Sequence, residues 1–165
     1  MLFTGNHPRT LDEKNRLQIP ADFRAEILSE SKRIGSDVEA VLYFTPGPLD
    51  NTLSIYTRNS LEALIRRIST DTVDSPEAQA FELFYSLVER VEMDKQGRLV
   101  MPQSLLAARS LGKELTLAGQ VHRIDVWRTD EFAEAVKTRF ATQWPALQRF
   151  LRRSGPGVGE NGNDK

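Results

Sequence analysis

Short, largely apolar runs predict strands at residues 40–44, 53–56, 114–118 and 124–127. In the last of these, Ile124-Asp125-Val126-Trp127 partly alternates, as a half-buried strand should. Elsewhere apolar residues recur three and four apart. Phe23 and Ile27 after Pro20, and Leu105 with Leu106 after Pro102, predict two short helices, each opened by a proline that loses no intrahelical hydrogen bond there. Gly112 is the expected cap of the second. Leu61, Leu64, Ile65 and Ile68 form one stripe of a longer helix, begun by Asn59 with Glu62 three residues on, a capping-box pattern. A linking helix from Ser75-Pro76-Glu77 places Phe81, Phe84, Tyr85 and Val88 on one face. Phe132, Val136 and Phe140 predict a last helical region that Pro145 interrupts or kinks. The Gly-rich tail, residues 154–165, is expected to be disordered.

These elements occur in the same order twice. Leu11-Asp12-Glu13-Lys14-Asn15-Arg16-Leu17-Gln18-Ile19-Pro20 matches Met93-Asp94-Lys95-Gln96-Gly97-Arg98-Leu99-Val100-Met101-Pro102 at an offset of 82. Leu53-Ser54-Ile55-Tyr56 matches Ile124-Asp125-Val126-Trp127 at an offset of 71. The first copy is therefore longer inside by 11 residues, expected in surface loops around 31–37 and 45–51. In each copy a strand reaches Asp, three residues turn, and a second strand runs to Pro, which reads as a hairpin. A three-residue hairpin loop closes on a residue at positive φ, a conformation that Gly adopts freely and Asn at small penalty, and the matching positions hold Asn15 and Gly97. Such a turn brings Asp12 to Arg16 and Asp94 to Arg98. One reading is an ion pair that fastens the turn, a weak stabiliser when exposed. A second reading sets Lys14, Arg16, Lys95 and Arg98 at a ribbon tip that enters a major groove, where Arg can make paired hydrogen bonds to guanine. The two are compatible, with the Asp orienting the Arg.

Composition narrows the chemistry. Leu, Ile, Val and Phe make up 44 of 165 residues, enough for a core and against a disordered chain. With no Cys there is neither a disulfide framework nor a thiolate metal site, and no signal sequence or long apolar run is present; a reducing cytoplasm is the expected compartment, without membrane attachment. The net charge of −1 hides an asymmetry, since residues 71–94 sum to −6 and the remainder to +5. Hydrolase chemistry would have to use His7 or His122, and neither has a recognisable nucleophile context. Asp130-Glu131 suits the start of a helix. No phosphate-binding glycine pattern occurs, and no metal or cofactor is expected. Tyr56 and Trp127 occupy equivalent strand ends, which suggests packing.

The repeated Asp-x-x-Gly/Asn-Arg-Leu-x-Ile/Met-Pro element, each time followed by a strand ending in Tyr or Trp and a helix, closely resembles the MraZ family of transcriptional regulators over residues 1–150. Asn15 stands where the family pattern has Gly. The resemblance implies an α+β fold: a tandem SpoVT-AbrB-type swapped-hairpin β-barrel made by two pseudo-symmetric repeats, with packed linking and C-terminal helices. Repeat 1 would span 8–60, a helical linker 61–87, repeat 2 88–131 and C-terminal helices 132–153. It further implies a non-enzymatic, nucleoid-associated repressor of the division and cell-wall gene cluster that binds short G-rich direct repeats in its own promoter as a ring-shaped oligomer. Double-stranded DNA and other copies of the chain would be the partners. Lys14, Arg16, Lys95 and Arg98 would contact DNA, supported by Asp12, Asn15, Asp94 and Gly97. Complementary ring surfaces would come from the acidic linking helix and from Arg66, Arg67, Arg149, Arg152 and Arg153; the alternative for these charges is a solvated helix face. Competing functions are an AbrB-type antitoxin-like regulator and a ring-forming scaffold without specific DNA binding. An enzyme is more distant.

Overall fold

The computed structural model describes residues 2–33, 40–49, 51–71 and 76–154. In chain order the elements are β1 (Asn6–Thr10), β2 (Arg16–Gln18), α1 (Ala21–Arg33), β3 (Val41–Pro46), β4 (Leu53–Thr57), α2 (Arg58–Asp71), α3 (Pro76–Ser86), β5 (Glu89–Glu92), β6 (Arg98–Val100), α4 (Gln103–Ala108), β7 (Glu114–Gly119), β8 (Ile124–Arg128) and α5 (Thr129–Arg153). The class is α+β. One compact unit ends at Thr129 and a second begins at Asp130.

All strand pairs are antiparallel, and the pairing crosses between the repeats. β1 of the first repeat pairs with β7 of the second, and β5 of the second pairs with β3 of the first. The equivalent strands β4 and β8 meet each other, as do β2 and β6. Six strands form an open sheet in the order β1-β7-β8-β4-β3-β5, and β2-β6 is a separate ribbon. The backbone is matched end for end: Leu11 N–H donates to the Lys113 carbonyl and Met93 N–H to the Ala40 carbonyl, both at 2.9 Å.

The core is one cluster. Leu42, Phe44, Leu53, Ile55, Leu115, Leu117, Ile124 and Val126 from the sheet meet Leu17, Ile19, Leu99 and Met101 from the ribbon and its continuations, with Phe23, Ile27, Leu105 and Leu106 from α1 and α4. Leu17 and Leu99, opposite one another in the ribbon, are wholly buried, so the ribbon has one face in the core and one outside. The central strand β4 is buried along its whole length. Tyr56 and Trp127 are buried at 9% and 7% exposure, in keeping with packing roles.

Several expectations are corrected. No closed barrel forms among the described residues, because β1 and β5 remain the unpaired edges of an open sheet. The Asp-to-Arg turns do not close hairpin ladders: Asp12 N–H reaches the Arg16 carbonyl at 3.1 Å, after which β1 and β2 diverge to different partners in the other repeat. The extra residues of the first repeat are largely a longer helix, since α1 has 13 residues and α4 six; Ser31 to Arg33 are helical, Thr45 and Pro46 lie in β3, and 34–39 lie outside the described residues. Pro102 is the N-cap of α4, and the chain leaves that helix through Arg109 and Ser110, the latter at φ 51, rather than through Gly112. The cap of α2 is Thr57 with Ser60, two residues before the expected Asn59–Glu62 pair: Thr57 N–H donates to Ser60 Oγ at 3.0 Å and Ser60 N–H to Thr57 Oγ1 at 3.4 Å. α3 begins at Pro76, and the expected start at Ser75 lies outside the described residues, as does the tail from 155 onward. The expected C-terminal helices are one helix, α5, which continues through Pro145, with no residue in it fully buried. Within α5, Phe140 stacks on Trp144 with ring centroids 4.8 Å apart.

Candidate nucleic-acid interface

Each Asp-to-Arg turn is built on one carboxylate. In the first, Asp12 Oδ1 accepts the backbone N–H of Lys14 and of Arg16, both at 2.9 Å, and Oδ2 accepts Arg16 Nε at 2.6 Å. In the second, Asp94 Oδ1 accepts the N–H of Gln96 and of Arg98, both at 2.9 Å, and Oδ2 accepts Arg98 Nε at 2.8 Å. A short acid at the first position suits this role, because its two oxygens reach the turn amides and the guanidinium at once. The Arg16 and Arg98 backbone hydrogen bonds, with the guanidinium bonds behind them, hold both Asp pKa values below the ordinary 3.8. The turns close at positive φ, Asn15 at 54° and Gly97 at 81°.

The ribbon register, Arg16 opposite Val100 and Gln18 opposite Arg98, puts these four side chains on the outer face and the two leucines inside. Arg16 and Arg98 thus share one face at diagonal corners, separated by two residues, about 7 Å, along the ribbon axis. Each has its Nε side fixed by Asp; Arg98 Nη2 also lies 2.8 Å from Asp94 Oδ2. Both Nη groups of Arg16 and Nη1 of Arg98 make no hydrogen bond among the described residues, so a guanidinium edge remains for an external acceptor. Lys14 and Lys95 are exposed, and neither ammonium forms an ion pair among the described residues. They are not equivalent: Lys95 matches Glu13, and Lys14 matches Gln96.

Two residues of this site escaped the sequence reading. Gln18 Nε2 donates to the carbonyls of Gln96 and Gly97, both at 3.1 Å, and Arg24 Nη2 donates to the Lys95 carbonyl at 2.6 Å. Both come from the first repeat and hold the turn of the second. The available signal was a break in the repeat, polar Gln18 and Arg24 standing where the second copy has Val100 and Leu106.

His7 lies in β1, its Nε2 3.1 Å from Asp22 Oδ2 and its ring edge-on to Phe23, whereas His122 is exposed between β7 and β8. No group of three or more metal-ligating side chains occurs among the described residues, and no helix there is long and apolar enough to cross a membrane.

Comparison with known proteins gives a consistent result. The family profile described as "MraZ protein, putative antitoxin-like" matches residues 86–152. The chain is 30% identical over 134 residues to the transcriptional regulator MraZ of Alcanivorax borkumensis, covering 81% of this chain and 87% of that one. It is 31% identical over 134 residues to the transcriptional regulator MraZ of Clostridium tetani, covering 81% and 86%. With the transcriptional regulator MraZ of Thermomicrobium roseum it shares 26% identity over 160 residues, 96% of each chain.

Proposed function

Since the chain belongs to the MraZ family of transcriptional regulators, we propose that it binds double-stranded DNA sequence-specifically through the outer face of the β2–β6 ribbon and its two flanking turns. The observation that carries this reading is the pair Arg16 and Arg98, held on one exposed face with Nε tied to Asp and guanidinium edges left over. A two-stranded ribbon fits the major groove, and an Arg fixed in orientation presents two donors to guanine O6 and N7 at reduced entropic cost. Lys14 and Lys95 supply phosphate contacts, while Asp12, Asn15, Asp94 and Gly97 shape the turns. The crossed pairings of β1 with β7 and β5 with β3 support a single DNA-binding body built from strands exchanged between two pseudo-symmetric repeats, 8–60 and 88–131. Residues 61–87 then link the repeats and 132–153 extend beyond them.

In this reading the protein is a non-enzymatic cytoplasmic repressor, associated with the nucleoid, that acts on the division and cell-wall gene cluster at G-rich direct repeats in its own promoter. It assembles into a ring. One subunit offers few cations, and neighbouring subunits on successive repeats gain effective concentration, so weak contacts add to a firm complex.

The test is binding to the duplex upstream of its own gene and to a scrambled duplex, over a salt series, for the wild type and for Arg16→Ala and Arg98→Ala. Selective binding that weakens with salt, lost in both variants while particle mass by light scattering is unchanged, is expected. Equal affinity for both duplexes would leave a ring-forming scaffold as the better account.

A further inference from the structure

The two turns share their internal hydrogen bonds and differ in what lies behind them. Behind the second, residues 94–98, Arg24 and Gln18 donate to three consecutive carbonyls, those of Lys95, Gln96 and Gly97. Ile19 N–H adds a fourth bond, to the Gly97 carbonyl at 2.9 Å. Behind the first, residues 12–16, the corresponding backbone bond exists, Met101 N–H to the Asn15 carbonyl at 3.0 Å. No side chain donates to the Glu13, Lys14 or Asn15 carbonyl among the described residues: Val100 and Leu106 occupy the matching places, and a surface hollow of about 250 Å³ lined by Asn15, Gln103 and Leu106 lies there instead.

The clamp also accounts for the residue at the closing position. A Cβ on Gly97 would meet Arg24 Cδ at 2.8 Å, Arg24 Nε at 3.1 Å and Gln18 Nε2 at 3.2 Å, so any larger residue would have to displace the clamp, whereas the turn beside the hollow carries Asn15. Arg24 is poorly placed as a mere stabiliser. Its Nε is buried with no hydrogen-bond partner among the described residues, and Leu, which the second repeat has at this position, would fill apolar space without an orphaned N–H.

We propose that Arg24, assisted by Gln18, is a positioning residue that fixes the 94–98 turn in its binding shape before DNA arrives, so that Arg98 and Lys95 form the preorganised half of the interface and Arg16 and Lys14 the adaptable half. The inference rests on the turns being the DNA-contacting segments. A preset turn loses less freedom on binding and discriminates more sharply, and the pliable one adjusts to the groove.

The test uses the full-length chain with Arg24→Leu and, as a variant confined to the exposed ribbon face, Gln18→Val. Amide hydrogen exchange in the free protein reads the clamp directly. Arg24→Leu is expected to speed exchange at Gln96, Gly97 and Arg98 about tenfold, the scale of one lost hydrogen bond from a charged donor, with Gln18→Val acting a few-fold. Lys14, Asn15, Arg16 and the ribbon-core amides of Leu17 and Leu99 should not change. Unchanged exchange at 96–98 in both variants, or equal acceleration at both turns, overturns the proposal. Binding to the upstream duplex over a salt series then separates positioning from contact: affinity falls about tenfold in Arg24→Leu with an unchanged salt slope if Arg24 acts through the turn. A slope reduced by about one shows that Arg24 itself meets a phosphate and overturns the positioning role. Wild-type protein that fails to prefer the upstream duplex overturns the preorganised-reader part together with the functional reading, while the exchange data still decide whether the clamp exists.

Discussion

Leu11, Leu17, Ile19 and Ile55 of the first repeat correspond to Met93, Leu99, Met101 and Val126 of the second, and all eight are exposed by 4% or less. The polar correspondences are far looser: Glu13 matches Lys95, Gln18 matches Val100, Arg24 matches Leu106, and Ser54 matches Asp125. Strands of either repeat complete the sheet of the other, so interior positions on both sides meet the same spatial constraint and stay apolar. Polar positions have diverged more, even the buried pair Ser54 and Asp125. The β4–β8 seam shows how far, because equivalent residues there face each other directly. Ser54 Oγ donates to Asp125 Oδ1 at 2.7 Å, and Arg123 Nε reaches the same oxygen at 2.8 Å. Two aspartates at this seam would set carboxylates against each other in a buried site, so the pair works only because the repeats differ.

The largest effect is expected in the shared interior: Leu17→Ala and Leu99→Ala should each destabilise the protein by about 2–5 kcal/mol in urea unfolding, and the two values should agree within about 1 kcal/mol. A large inequality would break the equivalence of the cores. At the seam, Asp125→Ala strands Arg123 and Ser54 and should cost about 2–3 kcal/mol, against about 1 kcal/mol for Ser54→Ala by the same measurement. At the turns, Gly97→Asn should cost about 1–3 kcal/mol, because its Cβ runs into Arg24, and Arg24→Ala should restore most of the loss. Asn15→Gly should stay within about 1 kcal/mol of the wild type.

Acid should treat both turns alike. Asp12 and Asp94 have folded pKa values below 3.8, chiefly through the backbone N–H of Arg16 and Arg98, so each carboxylate supports its turn above the unfolded value and loses that support as pH falls through the folded one. Carboxyl titration by NMR should place both midpoints below 3.8, and a midpoint at or above it for either residue would contradict the shared geometry. The smallest effect expected is a gain: Val100→Gln supplies the first turn with the donor that Gln18 gives the second and should slow exchange at the Asn15 amide a few-fold.

Much of this was legible in the chain. The doubled Asp-to-Arg element, with Asn15 and Gly97 at the closing position, is a local signal, since positive φ and a carboxylate accepting turn amides depend on a few adjacent residues. What could not be read was which strands pair: β1 and β2 look like a hairpin locally, yet each is claimed by a partner about 80 or more residues away, and core burial outweighs the local ladder. The Thr57–Ser60 cap was hidden because both hydroxyls precede the apolar stripe that marks the helix, and α5 runs through Pro145 although proline withholds one N–H from the helix. The Arg24 clamp joins residues 71 apart, and only a break in repeat symmetry hinted at it.

The crossed strand pairing also sets a timetable for the chain. Asn6 pairs with Ala118, and the sheet gains its central β4–β8 contact only when residues 124–126 exist. During synthesis the first repeat therefore waits, with β1 and the inner side of β2 uncovered, until nearly the whole of the second has emerged. A topology so rich in distant contacts folds slowly for its size. In that interval β2 can meet the β6 of another nascent copy as readily as its own, so crowded synthesis on one messenger should favour intertwined dimers that dilution of the finished protein will not separate.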